Sequence, residues 1–259
     1  MPAATPTPPQ RVLPLEPLQE GVLLKRYKRF LADVQLDSGE LVTAHCANTG
    51  PMTGVLQVGG RVRLRHAPSP TRKLAWSWEQ AQVEGATGQP VWVGINTALP
   101  NRLVRATIEA GCLEPWLGPI ASIRAEVAYG ANRRSRIDLL LSPAEGAADP
   151  RPIYVEVKNT TWCAGDLALF PDTVTERGQK HLEELMGVLP EARAVLLPCL
   201  SRPDLSRFAP GDSADPRYGE LFRQALAAGV EVLPCRYGFG DTGIDWLGLA
   251  AVQPYGDAP

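Results

Sequence analysis

The stretch Arg136-Ile137-Asp138-Leu139-Leu140-Leu141, then a polar loop, then Ile153-Tyr154-Val155-Glu156-Val157-Lys158, reads as two consecutive strands. Strand side chains alternate between faces, so Glu156 and Lys158 share one face while Val155 and Val157 point into the core. The aliphatic runs around Asp138 and Glu156 describe strands buried on both faces, where charged side chains are seldom idle. An Asp on one strand and Glu-x-Lys on the strand it pairs with is what a metal-dependent phosphodiesterase needs. Two carboxylates hold a hard divalent cation, and the ammonium sits beside the attacked phosphate or the attacking water. The alternative for the same residues is a cross-strand ion pair between Asp138 and Lys158 on a solvated sheet face, which stabilises weakly.

At 259 residues the chain is long enough for two ordinary domains, and its charge shifts along its length. Residues 21–84 carry nine basic side chains against five acidic ones, a net of +4. Residues 1–20 carry −1, which leaves −5 for residues 85–259 of a chain total of −2. A basic front and an acidic back separate a polyanion-binding surface from a cation-binding one. Eight of the basic residues, Arg26, Lys28, Arg29, Arg61, Arg63, Arg65, Arg72 and Lys73, form the expected nucleic-acid surface. The five cysteines are widely spaced and contain no Cys-x-x-Cys, which indicates neither a disulfide framework nor a zinc site. The start lacks the apolar core of a signal peptide, and no apolar run approaches membrane-spanning length. A cytoplasmic protein without a membrane partner is expected, with residues 1–20 as a disordered Pro-rich tail.

Residues 21–88 show short strands and tight turns: Val22 to Leu36, a turn at Asp37-Ser38-Gly39, Leu41 to Cys46, and a breaker at Asn48-Thr49-Gly50-Pro51. Arg61-Val62-Arg63-Leu64-Arg65 alternates strictly and puts three arginines on one face; Trp76 and Trp78 share a face in the same way. Cations and aromatic rings on one side of a small barrel suit an oligonucleotide-binding (OB) fold. For the tryptophans a place in the barrel core is the preferred reading over a base-stacking platform. Residues 89–259 form the second unit. A helix over Thr97 to Ala110, capped by Asn96 or Thr97, precedes strands at Ile120 to Tyr129, Ser135 to Leu141 and Ile153 to Lys158. Asn159 to Asp172 reads as a mobile connection. Thr175 caps a helix reaching to Leu189, Arg193 to Leu197 is a buried strand, and Ser201 to Asp215 an irregular loop. A last helix runs from Pro216 to Ala228, capped by Asp215 and ended by Gly229, before segments at Val230 to Phe239 and Ile244 to Leu249.

The order helix, three strands, helix, strand, with Asp138 on the second strand and Glu156-x-Lys158 on the third, resembles the restriction-endonuclease-like PD-(D/E)xK core. Longer segments add to it: Arg29-Phe30-Leu31-Ala32-Asp33-Val34, Ala44-His45-Cys46-Ala47-Asn48-Thr49-Gly50-Pro51-Met52, Gly94-Ile95-Asn96-Thr97-Ala98-Leu99-Pro100-Asn101, and Thr175-Glu176-Arg177-Gly178-Gln179-Lys180-His181. With Phe170-Pro171-Asp172 they are similar to the sugar fermentation stimulation protein A family over nearly the whole chain after the tail. The resemblance implies an α/β (α+β overall) protein: an N-terminal OB-fold-like barrel followed by a restriction-endonuclease-like αβββαβ domain. It also implies a DNA-binding cytoplasmic protein of bacteria or archaea, and the family name points to regulation of sugar catabolism.

Asp138, Glu156 and Lys158 match the nuclease motif, with Ile137 where the motif has Pro. Asp138 and Glu156 are the expected ligands of Mg²⁺ or Mn²⁺. Gln179, with Lys180 beside it, falls where related nucleases use a helix residue to hold phosphate or orient the site, and Gln179 joins the catalytic set. Glu126 is either a third carboxylate or an exposed one. His45, His66 and His181 each lack a second ligand nearby in sequence, so neither a zinc nor a His-base mechanism is expected. Two functions follow. One is largely non-specific binding of single-stranded or duplex DNA by a protein carrying a divalent-metal site; the other is Mg²⁺-dependent cleavage of DNA or RNA phosphodiesters. The oligomeric state, a homodimer included, is left open.

Overall fold

The computed structural model describes residues 8–130 and 135–256, which fold as two units in contact. The first strand, β1 (Gln10–Pro14), belongs to the second unit: it pairs antiparallel with a strand near the C-terminus, Gln10 opposite Trp246 and Pro14 opposite Gly243. The expected disordered tail is corrected over this stretch, while residues 1–7 lie outside the described residues. Val12 and the buried Leu13 supply the apolar contact that overrides a Pro-rich composition.

The barrel is built from β2 (Gln19–Tyr27), β3 (Leu31–Leu36), β4 (Leu41–His45), β5 (Arg61–His66), β6 (Trp76–Glu84) and β7 (Pro90–Gly94). Antiparallel ladders run β4-β3-β2-β5-β6, and a short parallel pairing of β4 with β6, Ala44 opposite Trp76, closes these five strands into a ring. Closure leaves no open edge among them. Between the pairs Arg63–Gln80 and Leu64–Trp78 the ladder slips by one, so Glu79 is an extra residue and the inward set becomes Trp78, Ala81 and Val83. Trp78 is fully buried and donates its indole N–H to the Gln80 carbonyl at 2.9 Å. Trp76 is half-buried against the same core, its ring 4.4 Å from that of His66.

Strand β7 extends β6, Glu84 opposite Pro90 and Gln80 opposite Gly94, so the passage between units comes after Gly94 and not at residue 88. Pro90 stands at the first position of an edge strand, where its missing N–H costs nothing. The units dock closely there. Gly94 N–H donates to the Ser201 carbonyl at 2.8 Å, the Gln80 side chain donates to the Gly240 carbonyl at 2.7 Å, and a Cβ on Gly94 would run into the Phe239 ring.

The second unit contains α1 (Pro100–Glu109), α2 (Glu114–Leu117), β8 (Ile120–Tyr129), β9 (Ser135–Pro143), β10 (Ile153–Thr160), β11 (Cys163–Ala164), β12 (Leu167–Phe170) and α3 (Glu176–Met186). After these come β13 (Arg193–Leu200), β14 (Arg207–Pro210), α4 (Pro216–Ala228), β15 (Glu231–Val232), β16 (Cys235–Phe239), β17 (Gly243–Leu249) and β18 (Ala251–Val252). The main sheet has the order β1-β17-β16-β13-β10-β9-β8, with β10 and β13 parallel. Helix α1 covers one face, where Leu103 and Val104 meet Val155, Val157 and Leu197. Helices α3 and α4 cover the other, where Leu182, Leu185 and Phe222 meet Leu140 and Leu196. Glu156 alternates with Val155 and Val157 and is therefore turned to the α3 side.

Helix α1 begins at Pro100, later than expected, because Pro suits a position whose N–H has no helical acceptor. Asn96 caps a local turn instead, accepting from Ala98 N–H at 3.0 Å. Thr175 and Asp215 cap α3 and α4 as expected, accepting from Gly178 N–H at 3.1 Å and Tyr218 N–H at 3.0 Å, and Gly229 closes α4 at φ 101°. The Asn159 to Asp172 connection is not the mobile segment expected. Its β11–β12 hairpin joins β14 and β18 in a second, four-stranded sheet, with Leu167 and Ala168 fully buried, so the loop expected over Ser201 to Asp215 likewise holds a strand. Strands of two to four residues are too short for alternation to show. Among the described residues no helix is long and apolar enough to cross a membrane.

The two tryptophans differ in burial and should differ in cost. Trp78→Ala is expected to lower the unfolding free energy by about 3–5 kcal/mol and Trp76→Ala by distinctly less. Urea melts of the two variants check this, and equal losses would contradict the inward-facing assignment.

Candidate metal centre and nucleic-acid surface

The β9–β10 ladder runs Leu141–Ile153, Leu140–Tyr154, Leu139–Val155 and ends there. One step further Asp138 faces the Glu156 position, and its side chain takes over from the main chain: Oδ2 accepts the Val157 N–H at 2.8 Å. Oδ1 accepts from Asn101 Nδ2 at 2.7 Å, which ties the first turn of α1 to the sheet. Glu156 is almost completely buried, and its Oε1 accepts from Lys158 Nζ at 2.7 Å and from His181 Nδ1 on α3. Arg177 Nε donates to His181 Nε2 at 3.4 Å, and Lys158 Nζ lies 3.0 Å from His181 Nδ1. The structure therefore brings Asp138, Glu156 and Lys158 together.

The electrostatics are asymmetric. Burial pushes the Asp138 carboxyl up, and the Glu156 charge adds to this against the hydrogen bonds from Val157 and Asn101. Burial also pushes Glu156 up, but the His181 hydrogen bond and the Lys158 charge outweigh it and hold the group below the ordinary range. Glu156 is the settled carboxylate and Asp138 the uncompensated one. Among the described residues Glu156 Oε2 is buried with no hydrogen-bond partner, as are the hydroxyls of Tyr129 and Tyr218. Both phenols are pushed far above their usual range, by burial first and then by the Glu156 charge.

An uncompensated Asp138 beside a partnerless carboxylate oxygen on Glu156 fits a cation. Among the described residues no group of three or more His, Cys, Asp and Glu is arranged to hold a metal ion. The donors here are two carboxylates, a set that Mg²⁺ completes with water.

Other expected site residues lie elsewhere. Gln179 donates to both carboxylate oxygens of Asp215 at 3.0 Å each, bracing α3 against the cap of α4 and not the Asp138–Glu156 pair. Lys180 donates to Ser135 Oγ at 2.9 Å and pairs with Glu184. Glu126 is exposed, so the third carboxylate is absent from the cluster. His181, without a second ligand nearby in sequence, is brought to Glu156 by the fold. Its signal was periodic: Gly178, His181, Leu182 and Leu185 share the buried stripe of α3, so the histidine had to face the sheet.

The basic residues divide into two groups. Arg61, Arg63 and Arg65 share a face as alternation requires, but each meets a carboxylate: Arg61 pairs with Asp37 at 2.6 Å and Glu20 at 2.7 Å, Arg63 with Glu20 at 2.9 Å, and Arg65 with Glu79 at 3.0 Å. Arg63 also lies 3.8 Å above the Trp92 ring. Arg72 is bonded to the Ala67 carbonyl and Ser77 Oγ. Arg26 donates to the carbonyls of Arg29, Asn48 and Gly50, and Arg29 to that of Thr49. Lys28, Arg29 and Lys73 are exposed.

A closed five-stranded OB barrel docked on a mixed α/β unit is the class that the fold defines. Comparison with known proteins agrees. The profile described as "SfsA N-terminal OB domain" matches residues 24–95, and the one described as "Sugar fermentation stimulation protein RE domain" matches residues 98–243. The chain belongs to the sugar fermentation stimulation protein (SfsA) family. A sugar fermentation stimulation protein homolog of Parasynechococcus marenigrum (strain WH8102) is 76% identical over 247 residues, covering 95% of this chain and 97% of the relative. One of Prochlorococcus marinus (strain MIT 9313) is 72% identical over 238 residues, 92% of this chain and 95% of the relative. Among solved structures, Pyrococcus furiosus SfsA in complex with Ca²⁺ superposes with a TM-score of 0.80 at 26% identity, covering 94% of this chain and 99% of that one.

A carboxyl whose pKa is raised on folding stabilises the fold only below its ordinary range, and that contribution is lost as pH rises through the folded value. With EDTA present, Asp138→Asn should therefore melt higher than the wild type at neutral pH, the gap closing as pH falls through the carboxylate range. Thermal melts across that range check this; a wild type more stable than the variant at neutral pH would contradict a buried, uncompensated Asp138.

Proposed function

We propose that this protein hydrolyses nucleic-acid phosphodiester bonds with a divalent cation held by Asp138 and Glu156, on nucleic acid gripped without strong sequence preference. The observation that carries the reading is the convergence of Asp138, Glu156 and Lys158 at the point where the β9–β10 ladder ends. The complex of the Pyrococcus furiosus relative with Ca²⁺ supports it, since Ca²⁺ and Mg²⁺ are both hard cations that take carboxylate oxygens. A bound divalent cation supplies Lewis acidity toward the phosphoryl oxygen and a more acidic water.

The chain's own residues divide the remaining work. Asn101 and the Val157 N–H fix both oxygens of Asp138, so the carboxylate cannot rotate away. His181 and Lys158 occupy Oε1 of Glu156 and leave Oε2 for the cation. The Lys158 ammonium, one bond from Glu156, is the positive group available to a phosphate that enters beside it. A second reading, binding without turnover, is favoured by one feature: Lys158 already neutralises Glu156 at 2.7 Å.

Incubation of the protein with single-stranded, duplex and branched DNA and RNA in Mg²⁺, Mn²⁺ or EDTA separates the two. The proposal expects cleavage with either cation and none with EDTA, and a loss of about 10²- to 10³-fold in turnover for Lys158→Ala with cation binding retained. Intact substrates under every condition, with binding preserved, would leave the second reading standing.

A further inference from the structure

Two cations without a carboxylate partner among the described residues sit side by side at one hairpin tip of the barrel. Arg61, Arg63 and Arg65 are neutralised, whereas among the described residues Lys28, Arg29 and Arg102 form no ion pair. Lys28 and Arg29 form the tip of the β2–β3 hairpin together with Phe30, between the paired residues Tyr27 and Leu31. The tip is held in an unusual shape: Lys28 has φ 49° and Arg29 φ 66°, a left-handed conformation that glycine or asparagine adopts at less cost. Arg26 holds it there, donating to the Arg29 carbonyl at 2.8 Å and to the Asn48 carbonyl at 2.9 Å, while the Phe30 carbonyl accepts from Cys46 N–H at 2.8 Å. The Phe30 ring itself, 45% exposed, takes no part in the barrel core. Two cations and a bare aromatic ring are thus displayed on a backbone that is bonded in place.

The hairpin is joined to the Asp138 centre by a short relay. The loop that Arg26 and Arg29 hold, Ala47 to Gly50, presents the Ala47 carbonyl to Thr97 Oγ1 at 3.0 Å. Thr97 leads into the first turn of α1, where Asn101 reaches Asp138 and Arg102, next along, is exposed. Lys28, Arg29 and Arg102 are the exposed cations borne by the segments of this relay, which ends at the Asp138 centre that also holds Lys158. Duplex DNA stacks its bases on one another, so an exposed ring between cations gains contact only from an unpaired base.

We propose that the hairpin tip of Lys28, Arg29 and Phe30 binds single-stranded nucleic acid, Phe30 stacking on a base while the strand runs past Arg102 to the Asp138–Glu156–Lys158 centre. The end point of that path rests on the phosphodiesterase reading of the centre; the binding at the tip does not.

The test is fluorescence anisotropy with the full chain in EDTA, so that no cleavage intervenes. The probes are labelled oligothymidylate and oligouridylate of about 15 nucleotides and a blunt duplex of equal length. Phe30→Ala should weaken single-strand binding by about 5- to 150-fold and leave duplex binding unchanged, and Phe30→Tyr should restore it. Arg29→Gln should flatten the salt dependence by roughly the slope of one phosphate. An effect on either sugar supports the proposal, provided that thermal melts show the variants folded. Wild-type affinity in Phe30→Ala, or equal losses for single strand and duplex, would overturn it. Asp138→Asn separates the two claims: it should keep the single-strand affinity, so lost hydrolysis in that variant concerns the centre alone.

Discussion

The Val157 N–H bond to the Asp138 carboxylate is the constraint on which the second unit turns. A buried backbone N–H without an acceptor costs about 1–3 kcal/mol, so a strand cannot leave its neighbour unless another acceptor takes over. Here a side chain does so at 2.8 Å, and β9 and β10 part at the place where Glu156 and Lys158 emerge. The same carboxylate that ends the ladder is thereby brought next to Glu156. Its raised pKa follows from that placement, through burial and a like charge, and is the stability cost of keeping two acids together.

The layers on either side of the sheet hold one acid each. Helix α1 sends Asn101 to Asp138, and α3 sends His181 to Glu156, so the separation of the two carboxylates is set by helix packing and not by a loop. Thr175 and Gln179 anchor the start of α3 to Asp215, the cap of α4, which fixes the register at which His181 meets the strand. Side chains held by packed elements keep a site more closely defined than loop residues do. In the barrel the same economy applies to charge: the paired arginines stiffen the wall, while among the described residues Lys28 and Arg29 have no carboxylate partner on the hairpin linked to α1.

Much of this was legible in the residues. The Asp138 and Glu156-x-Lys158 pattern, with aliphatic neighbours and strict alternation, located both strands and the face they share. Caps at Thr175 and Asp215 and the glycine at 229 marked two helices by chemistry that acts within four residues. What was not legible depends on distant partners. Arg61 and Arg63 looked like a free cationic stripe because Glu20, some 41 and 43 positions away, is brought alongside only by the β2–β5 ladder. Gln179 was assigned to the catalytic set by its neighbourhood in sequence, yet two positions along a helix turn the side chain by about 200°, so Gln179 faces Asp215 where His181 faces Glu156. The tail expected over residues 1–20 illustrates the limit from the other side, since Gln10–Pro14 folds only against a strand more than 200 residues later.

The central claim is that Asp138 and Glu156 hold one divalent cation between them. Isothermal titration of Mg²⁺ and Mn²⁺ into the wild type, Asp138→Asn and Glu156→Gln addresses it without requiring a substrate. One site per chain in the wild type, lost in both variants while each remains folded, is the result the account predicts; equal binding in the wild type and Asp138→Asn would contradict it.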